Sequence, residues 1–184
     1  MDSIEFINHA SVLISDGKVS ILTDPWYKGD VFNHGWNLIE EFSDNQINNI
    51  LDKTDYIWIS HEHPDHFSVS FYNEFQDQII NKKIKIIFQK TADSRVVSFL
   101  KNKNFEVIEL DENEILEINE NFKIQIFKVD FYDSALLVNL QNFKILNTND
   151  CPFEKDSDLK SLSKKIGKVD LLLSQFSYAA WKGG

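Results

Sequence analysis

Three of the five histidines in this 184-residue chain lie within the eight residues SHEHPDHF, positions 60–67. In an extended segment, side chains two residues apart point to the same side, so His61 and His63 can bind one metal ion. A proline then bends the chain, after which Asp65 and His66 can face a second site. Imidazole and carboxylate groups are ligands that zinc, iron and manganese accept. The spacing predicts two divalent metal ions that activate water and stabilise a negatively charged oxygen.

The elements that position this cluster are predicted from local patterns. The continuous apolar run DYIWIS (55–60) has the length of a strand covered on both faces, and it leads directly into His61. Ser43, with Gln46 three residues later, has the pattern of a capping box and predicts a helix start. Further strands are expected at 3–8, 11–15, 19–24, 84–88, 105–110, 114–118, 122–129, 135–140 and 143–148, and helices at 43–51, 68–80, 93–103 and 155–166. The order predicts a mixed α/β layered architecture that ends in a buried strand, 169–174.

Charge and composition narrow the class of protein. The formal net charge is −10, and the chain has no lysine and arginine cluster, which argues against nucleic acid or an anionic membrane as a partner. No stretch approaches the roughly 18–20 apolar residues that span a bilayer, and the first residues lack a signal-peptide pattern. Cys151 is the single cysteine, which excludes an intrachain disulfide and fits a reducing compartment. We therefore predict a cytoplasmic protein with a single domain, 1–184.

The histidine cluster carries a family resemblance. HEHPDH (61–66) matches the HxHxDH motif, and the chain thereby resembles the metallo-β-lactamase fold superfamily. The resemblance implies an αββα sandwich. It also implies that His61 and His63 bind the first metal, and that Asp65 and His66 bind the second.

Two further segments extend this resemblance. NHASVLI (8–14) together with ILTDPW (21–26) is similar to the opening of the branch that includes lactonase-like and phospholipase-D-like members. KILNTNDC (144–151) occupies the position of the family's Gly-Asp-Thr segment. The resemblance therefore implies that Asp150 bridges both metals, and it makes Asp65 and Asp150 the candidate catalytic carboxylates.

A narrower resemblance rests on KILNTNDC together with TDPWYKGDVFNHGWNL (23–38) and VDLLLSQFSYAAWKGG (169–184). These stretches resemble, in order over nearly the whole chain, the metallo-β-lactamase-like domain of CMP-N-acetylneuraminate hydroxylases and their bacterial relatives. Those hydroxylases also carry a Rieske iron–sulfur domain, for which a chain with one cysteine has no ligands. Hydroxylase activity is therefore not expected from this polypeptide alone.

The chain departs from the hydrolase pattern in its later ligands. The family supplies a mid-chain histidine to the first metal and another to the second metal near the C-terminus, but no histidine follows His66. The mid-chain ligand is then Asp133 or, as the weaker candidate, Asp130. The last ligand lies beyond Gly184 or is absent, so the sandwich is expected to be incomplete at its C-terminus. Zinc is the expected metal, and the added carboxylates keep iron and manganese as alternatives.

Four residues outside the motif are candidates for supporting roles. His9 either donates a hydrogen bond to a metal ligand or is a turn histidine bonded to backbone. Asp24 is expected to orient the histidine loop. His34 and Trp36 are candidates for lining a substrate cleft, in a long loop of the functional kind. The aromatic residues of this loop are Trp26, Tyr27, Phe32 and Trp36. They form either part of the core or an apolar wall that stacks on a sugar or a base.

Three functions remain open at this stage. The leading hypothesis is a metal-dependent hydrolase acting on an ester, lactone or phosphodiester of a small, sugar-derived or nucleotide-sugar substrate. The first alternative is an iron-dependent oxygenase component that receives electrons from a separate Rieske protein and hydroxylates a sialic-acid-type sugar. The second alternative is a non-catalytic degenerate domain or fragment.

Overall fold

The computed structural model describes residues 1–112, 114–129, 132–153 and 155–175. These contain the following strands: β1 (Ser3–Asn8), β2 (Ser11–Ser15), β3 (Ser20–Thr23), β4 (Tyr56–Trp58), β5 (Lys85–Gln89), β6 (Glu106–Leu110), β7 (Ile115–Glu117), β8 (Phe122–Val129), β9 (Asp133–Leu140), β10 (Phe143–Asn149) and β11 (Leu171–Ser174). They also contain the following helices: α1 (Asp44–Leu51), α2 (Val69–Glu74), α3 (Gln76–Asn81), α4 (Arg95–Asn102) and α5 (Asp156–Ile166).

The strands form two sheets. The first has the order β1-β2-β3-β4-β5-β6, antiparallel from β1 to β3 and parallel from β3 to β6. The second has the order β11-β10-β9-β8-β7, in which β10 and β11 are parallel and the other pairs antiparallel. Because β3 and β4 are parallel, the loops after both strands leave the first sheet at the same edge.

The fold has four layers: helices α1 to α4, the first sheet, the second sheet and helix α5. Three apolar clusters lie between them. One fills the space between the sheets and contains Trp58 of β4 and Leu136 of β9. A second packs the outer face of the first sheet against α1 to α4, and the third packs the second sheet against α5 through Leu162 and Ile166. This arrangement confirms the predicted αββα sandwich.

Local patterns predicted several elements correctly. Strands β1, β2 and β8 have the predicted bounds. The capping box is confirmed, because Gln46 N donates to Ser43 Oγ and Ser43 N donates to the Gln46 side chain. The predicted strand at 55–60 is observed as β4, and Ile57 and Trp58 are fully buried, as expected for a strand covered on both faces.

Two predictions were wrong in detail. The helix expected at 68–80 is divided into α2 and α3 at Phe75, which leaves the helical conformation with φ −104° and ψ 17° while its ring stays in the core. No glycine or proline marks this break, so periodicity alone does not reveal it. The strand expected to be buried at 169–174 is β11, which pairs only with β10 within the described residues and leaves Leu172 55% exposed. An edge strand buries alternate side chains, and three consecutive leucines hide that alternation.

Candidate metal centre

Segments from both sheets converge at the edge where β3 and β4 end. Asp24 follows β3 and donates its backbone N–H to Trp58 O at 3.0 Å. The histidine loop follows β4, and Ser134 Oγ at the start of β9 donates to Ser60 O at 2.7 Å. Asp150 follows β10. The fold therefore brings the predicted donors from three distant parts of the chain to one place.

His61 and His63 lie side by side. His61 Nε2 is 2.9 Å from His63 Nδ1, and His61 is buried whereas His63 is exposed. Asp133 is buried beside them, with Oδ1 at 3.6 Å from His61 Nδ1. Asp133 therefore lies on the Nδ1 side of His61, and its role as a metal ligand stays a prediction. The alternative aspartate, Asp130, lies outside the described residues.

Asp65 and His66 lie deeper in the same loop. His66 Nε2 is 3.3 Å from Asp65 Oδ2 and 3.4 Å from Asp150 Oδ2. His9 approaches from the β1–β2 turn, with Nε2 at 3.2 Å from Asp65 Oδ2. The potential ligand atoms of His9, Asp65 and His66 lie within 4.8 Å of one another, as do those of His61, His66 and Asp150. His66 therefore belongs to both groups of donors.

Two buried polar atoms in this cluster lack hydrogen-bond partners. Asp65 Oδ1 and His66 Nε2 are both in this state among the residues that the structure describes, although His66 Nε2 lies within ion-pair distance of two carboxylates. Leaving such an atom unpaired costs about 1–3 kcal/mol. Coordination to a cation would satisfy both atoms, and imidazole and carboxylate suit zinc, iron and manganese. The residues present therefore fit divalent metal ions.

The charges of the cluster also suit cation binding. Burial and the neighbouring His66 lower the pKa of His61 to about 4, so this imidazole is neutral near pH 7. Burial alone would raise the pKa values of Asp65 and Asp150, but contacts with His66 lower both below the usual range. Burial likewise opposes charge on His66, but the carboxylates of Asp150, Asp24 and Asp65 raise its pKa well above the usual value. A bound cation would take the place of the His66 proton, so metal affinity is expected to fall as the solution becomes acidic.

Asp24 connects the ligand histidines to the fold. The carboxylate is buried, with Oδ1 accepting from Ser60 N at 2.7 Å and Oδ2 accepting from Ser60 Oγ at 2.8 Å. Oδ2 also contacts His66 Nδ1 at 3.1 Å and accepts from Asn149 Nδ2. A carboxylate that accepts from the far nitrogen of a histidine leaves Nε2 facing the metal. These are the contacts of a residue that orients the histidine loop.

Counting hydrogens at Ser60 fixes the tautomer of His61. Ser60 Oγ has one hydrogen, which it donates to Asp24, and it accepts from Asn149 Nδ2 at 2.9 Å. His61 Nδ1, also 2.9 Å from this oxygen, must then be the donor. His61 therefore carries its proton on Nδ1, and its Nε2 lone pair faces the cluster.

Sequence reasoning missed Ser60 and Asn149. Asn149 has a positive φ of 44°, a conformation that asparagine tolerates better than most residues. The residue stands at the glycine position of the family's Gly-Asp-Thr segment, which was the signal that could have identified it. Unlike glycine, asparagine supplies two N–H groups to the buried network.

Replacing Asn149 with glycine is expected to weaken metal binding about 10–100-fold, the usual effect of losing a group that supports metal ligands. Glycine adopts the same φ freely, but the loss of two buried N–H donors to Asp24 and Ser60 should lower the thermal midpoint, so affinities are compared well below it. Competition with a chromogenic zinc chelator measures the affinity. Asn33→Gly is the matched control, since Asn33 also has a positive φ (53°) but lies in an exposed turn. Equal affinity in both variants would contradict a role for the Asn149 amide.

The aromatic residues of the loop after β3 divide into two groups. Trp26 and Tyr27 are buried in the core, whereas Phe32 and Trp36 are 44% and 48% exposed. The Phe32 ring centroid lies 5.4 Å from that of Trp36 and 6.1 Å from that of His63. Two rings therefore pack in the core, and two form an exposed wall beside the candidate metal centre; binding of a sugar or base by that wall stays a prediction.

A cleft of about 390 Å³ lies next to this wall, between the 30–34 segment and the start of α2. His34 and Phe32 both line it. The His34 imidazole itself is mostly exposed and contacts Asp30, which raises its pKa. His34 therefore lines the cleft, which Pro64 of the histidine loop also lines, and His34 belongs to neither group of potential ligand atoms.

Comparison with known proteins identifies the family. The model of the beta-lactamase superfamily domain matches residues 3–145, and the chain belongs to this superfamily. The chain is 29% identical over 184 residues to the cytidine monophosphate-N-acetylneuraminic acid hydroxylase of Asterias rubens, covering 96% of this chain and 26% of that protein. It is 26% identical over 185 residues to the hydroxylase of the same name from Danio rerio, covering 97% of this chain and 29% of that protein. The chain thus spans less than a third of the length of these relatives.

Solved structures share the fold. CmlA, a diiron beta-hydroxylase from Streptomyces venezuelae, superposes with a TM-score of 0.71 and 18% identity over 93% of this chain and 34% of that one. The metallo-beta-lactamase fold protein YhfI from Bacillus subtilis gives a TM-score of 0.56 and 16% identity over 88% of this chain and 61% of that one. At these identities the comparison shows the fold alone. Within the described ranges, no helix is long and apolar enough to cross a bilayer.

Proposed function

We propose that this chain is the metal-binding domain of a hydroxylase that acts on a nucleotide-linked, sialic-acid-type sugar. The proposal rests on the numbers of imidazole and carboxylate groups in the cluster. The imidazoles are those of His61, His63 and His66, and the carboxylates are those of Asp65, Asp133 and Asp150. An equal share of carboxylate and imidazole donors, with an aspartate in place of the mid-chain histidine, suits iron or manganese better than a tetrahedral zinc site. We therefore propose two iron ions, and Asp150 would be a ligand of both.

The relatives support this substrate class. The similarity to cytidine monophosphate-N-acetylneuraminic acid hydroxylases extends over 96–97% of this chain, so it includes every segment that contributes a donor. We infer the same class of small-molecule substrate for this chain. The exposed wall of Phe32 and Trp36 would flank it, because an aromatic face offers a flat ring about 1–3 kcal/mol of stacking energy.

Hydroxylation requires a source of electrons. A C–H bond, O₂, two electrons and two protons yield a C–OH group and one water molecule. Bound iron would supply the redox chemistry. The single cysteine leaves no ligand set for a Rieske cluster, which uses two cysteines and two histidines. We therefore propose a Rieske-type iron–sulfur centre outside residues 1–184 as the electron donor.

The residues of this chain would then bind the metal ions and orient the histidines that hold them. Asp65 and Asp150 would hold the metals as ionised carboxylates, since contacts with His66 keep the pKa of each below its usual range. Asp24 would hold His66 through Nδ1, and Ser60 would hold His61 through its own Nδ1. Buried side chains on one side and the aromatic wall on the other would limit water around the reacting carbon.

A hydrolase is the second candidate. The complete HxHxDH donor set, with Asp150 beside His66, also suits two metal ions that activate water for attack on an ester, lactone or phosphodiester. Such a reaction needs neither O₂ nor an electron donor. The two candidates therefore differ in the origin of the oxygen atom that enters the product.

Isotope labelling separates the candidates. The iron-loaded protein is incubated with CMP-N-acetylneuraminate and a chemical reductant, either under oxygen-18 gas or in oxygen-18 water without O₂, and products are analysed by mass spectrometry. We expect a hydroxylated sugar labelled from the gas. Label from water in a cleavage product would establish the hydrolase instead. No product in either arm from a metal-loaded protein would contradict both and favour a non-catalytic domain.

A further inference from the structure

His9 lies among the donors of the deeper metal position. Its Nε2 atom is 3.2 Å from Asp65 Oδ2, and it forms one group with donor atoms of Asp65 and His66 that lie within 4.8 Å of one another. These distances suit either a hydrogen bond to Asp65 or three ligands of one cation.

The fold holds His9 in this place. The residue lies in the two-residue turn between β1 and β2 and has a positive φ of 46°. Thr23 Oγ1 stabilises the turn, because it donates a hydrogen bond to Ala10 O at 2.9 Å and accepts one from Val12 N at 3.0 Å. The imidazole packs edge-on against Trp26, with ring centroids 5.1 Å apart. These contacts keep the imidazole beside the histidine loop.

The atoms that face His9 indicate a ligand at this position. Asp65 is 2% exposed, and its Oδ1 atom has no hydrogen-bond partner in the described part of the chain. His66 Nε2, on a side chain that is 1% exposed, has only ion-pair contacts of 3.3 Å with Asp65 and 3.4 Å with Asp150. A hydrogen bond from His9 reaches the other Asp65 oxygen, Oδ2, and leaves Oδ1 unpaired, whereas a cation held by all three side chains would bind the Asp65 carboxylate and His66 Nε2.

We propose that His9 is a direct ligand of the second metal ion, together with Asp65 and His66. The inference rests on the metal centre proposed above and adds a residue from the β1–β2 turn to it. An imidazole from the β1–β2 turn adds a nitrogen donor to the position formed by Asp65 and His66. The ion is a divalent cation of the zinc, iron and manganese class, for which neutral imidazole is a common ligand.

A matched pair of substitutions distinguishes a ligand from a hydrogen-bond donor. Glutamate and glutamine have the same shape, but only glutamate is a strong metal ligand and only glutamine donates a hydrogen bond to Asp65. The protein is saturated with zinc, dialysed, and analysed for zinc per chain by plasma mass spectrometry. We expect His9→Glu to keep about two equivalents and His9→Gln to keep about one. The opposite order would show that His9 only donates a hydrogen bond.

Proton NMR of the cobalt-substituted protein tests independently whether His9 binds the metal. Each imidazole bound to Co²⁺ contributes a strongly shifted, exchangeable N–H proton resonance, and His9→Gln should lose one such resonance. His34→Gln is the control, since the exposed His34 contacts only Asp30 among the described charged groups. If wild type binds two equivalents and His9→Gln binds the same number, the inference about His9 fails while the metal centre stands. If wild type binds no metal, the proposed function fails as well.

Discussion

Replacing His66 with alanine is expected to remove about one of the two metal equivalents from the protein. Its Nδ1 contacts Asp24, so the imidazole has one lone pair for a metal, on Nε2, which lies 3.3 Å from Asp65 and 3.4 Å from Asp150. Replacing Asp150, the proposed shared ligand, with alanine should lower the metal content further. Metal per chain, measured by plasma mass spectrometry after dialysis against buffer without chelator, gives the result directly.

The control for this experiment is His34→Ala, which removes an exposed imidazole outside the cluster. Circular dichroism establishes that each variant is folded. Retention of the wild-type metal content by folded His66→Ala would show that His66 is not a metal ligand.

Replacing Trp58 with alanine is expected to lower the free energy of unfolding by about 3–5 kcal/mol, as found for large aromatic residues removed from a core. Trp58 is fully buried between the two sheets in β4, the strand that leads into the histidine loop. Trp58→Phe should be much less damaging. It keeps most of the ring volume and removes Nε1, a buried N–H without a hydrogen-bond partner within the described residues.

Urea unfolding of the chelator-treated protein measures both variants. Metal must be absent, because a cation that binds only the folded state would add its own stabilisation. An equal loss of stability in Trp58→Phe and Trp58→Ala would mean that the indole N–H makes a contact essential to the core, contrary to its surroundings in this structure.

The layered fold was predictable because its signals are local. The continuous apolar run at 55–60 indicated a strand covered on both faces, and Ser43 with Gln46 indicated where α1 begins; the structure shows both features. The exposure of Leu172 was not predictable, since it depends on the place of β11 in the sheet order. Three consecutive leucines have the same pattern in an edge strand and in a buried one.

The metal centre was predictable to the extent that its motif is continuous in sequence. HEHPDH (61–66) places four candidate donors by spacing alone. Asn149 and Ser60 could not be found in this way, because their importance comes from a hydrogen bond between the end of β10 and the loop after β4 that only the folded chain brings together. The approach of His9 to a metal ligand was one of two alternatives predicted from the sequence, and the partner, Asp65, lies 56 residues away in sequence.

The most direct test of a binuclear metal centre is the metal content of the wild-type protein. The protein is purified without chelators from iron-supplemented cells under anaerobic conditions, and metals per chain are measured by plasma mass spectrometry. The structure and the proposed function together lead us to expect about two equivalents, mainly iron. A folded protein that retains no metal, and takes up none when iron, manganese or zinc is supplied, would contradict the central claim.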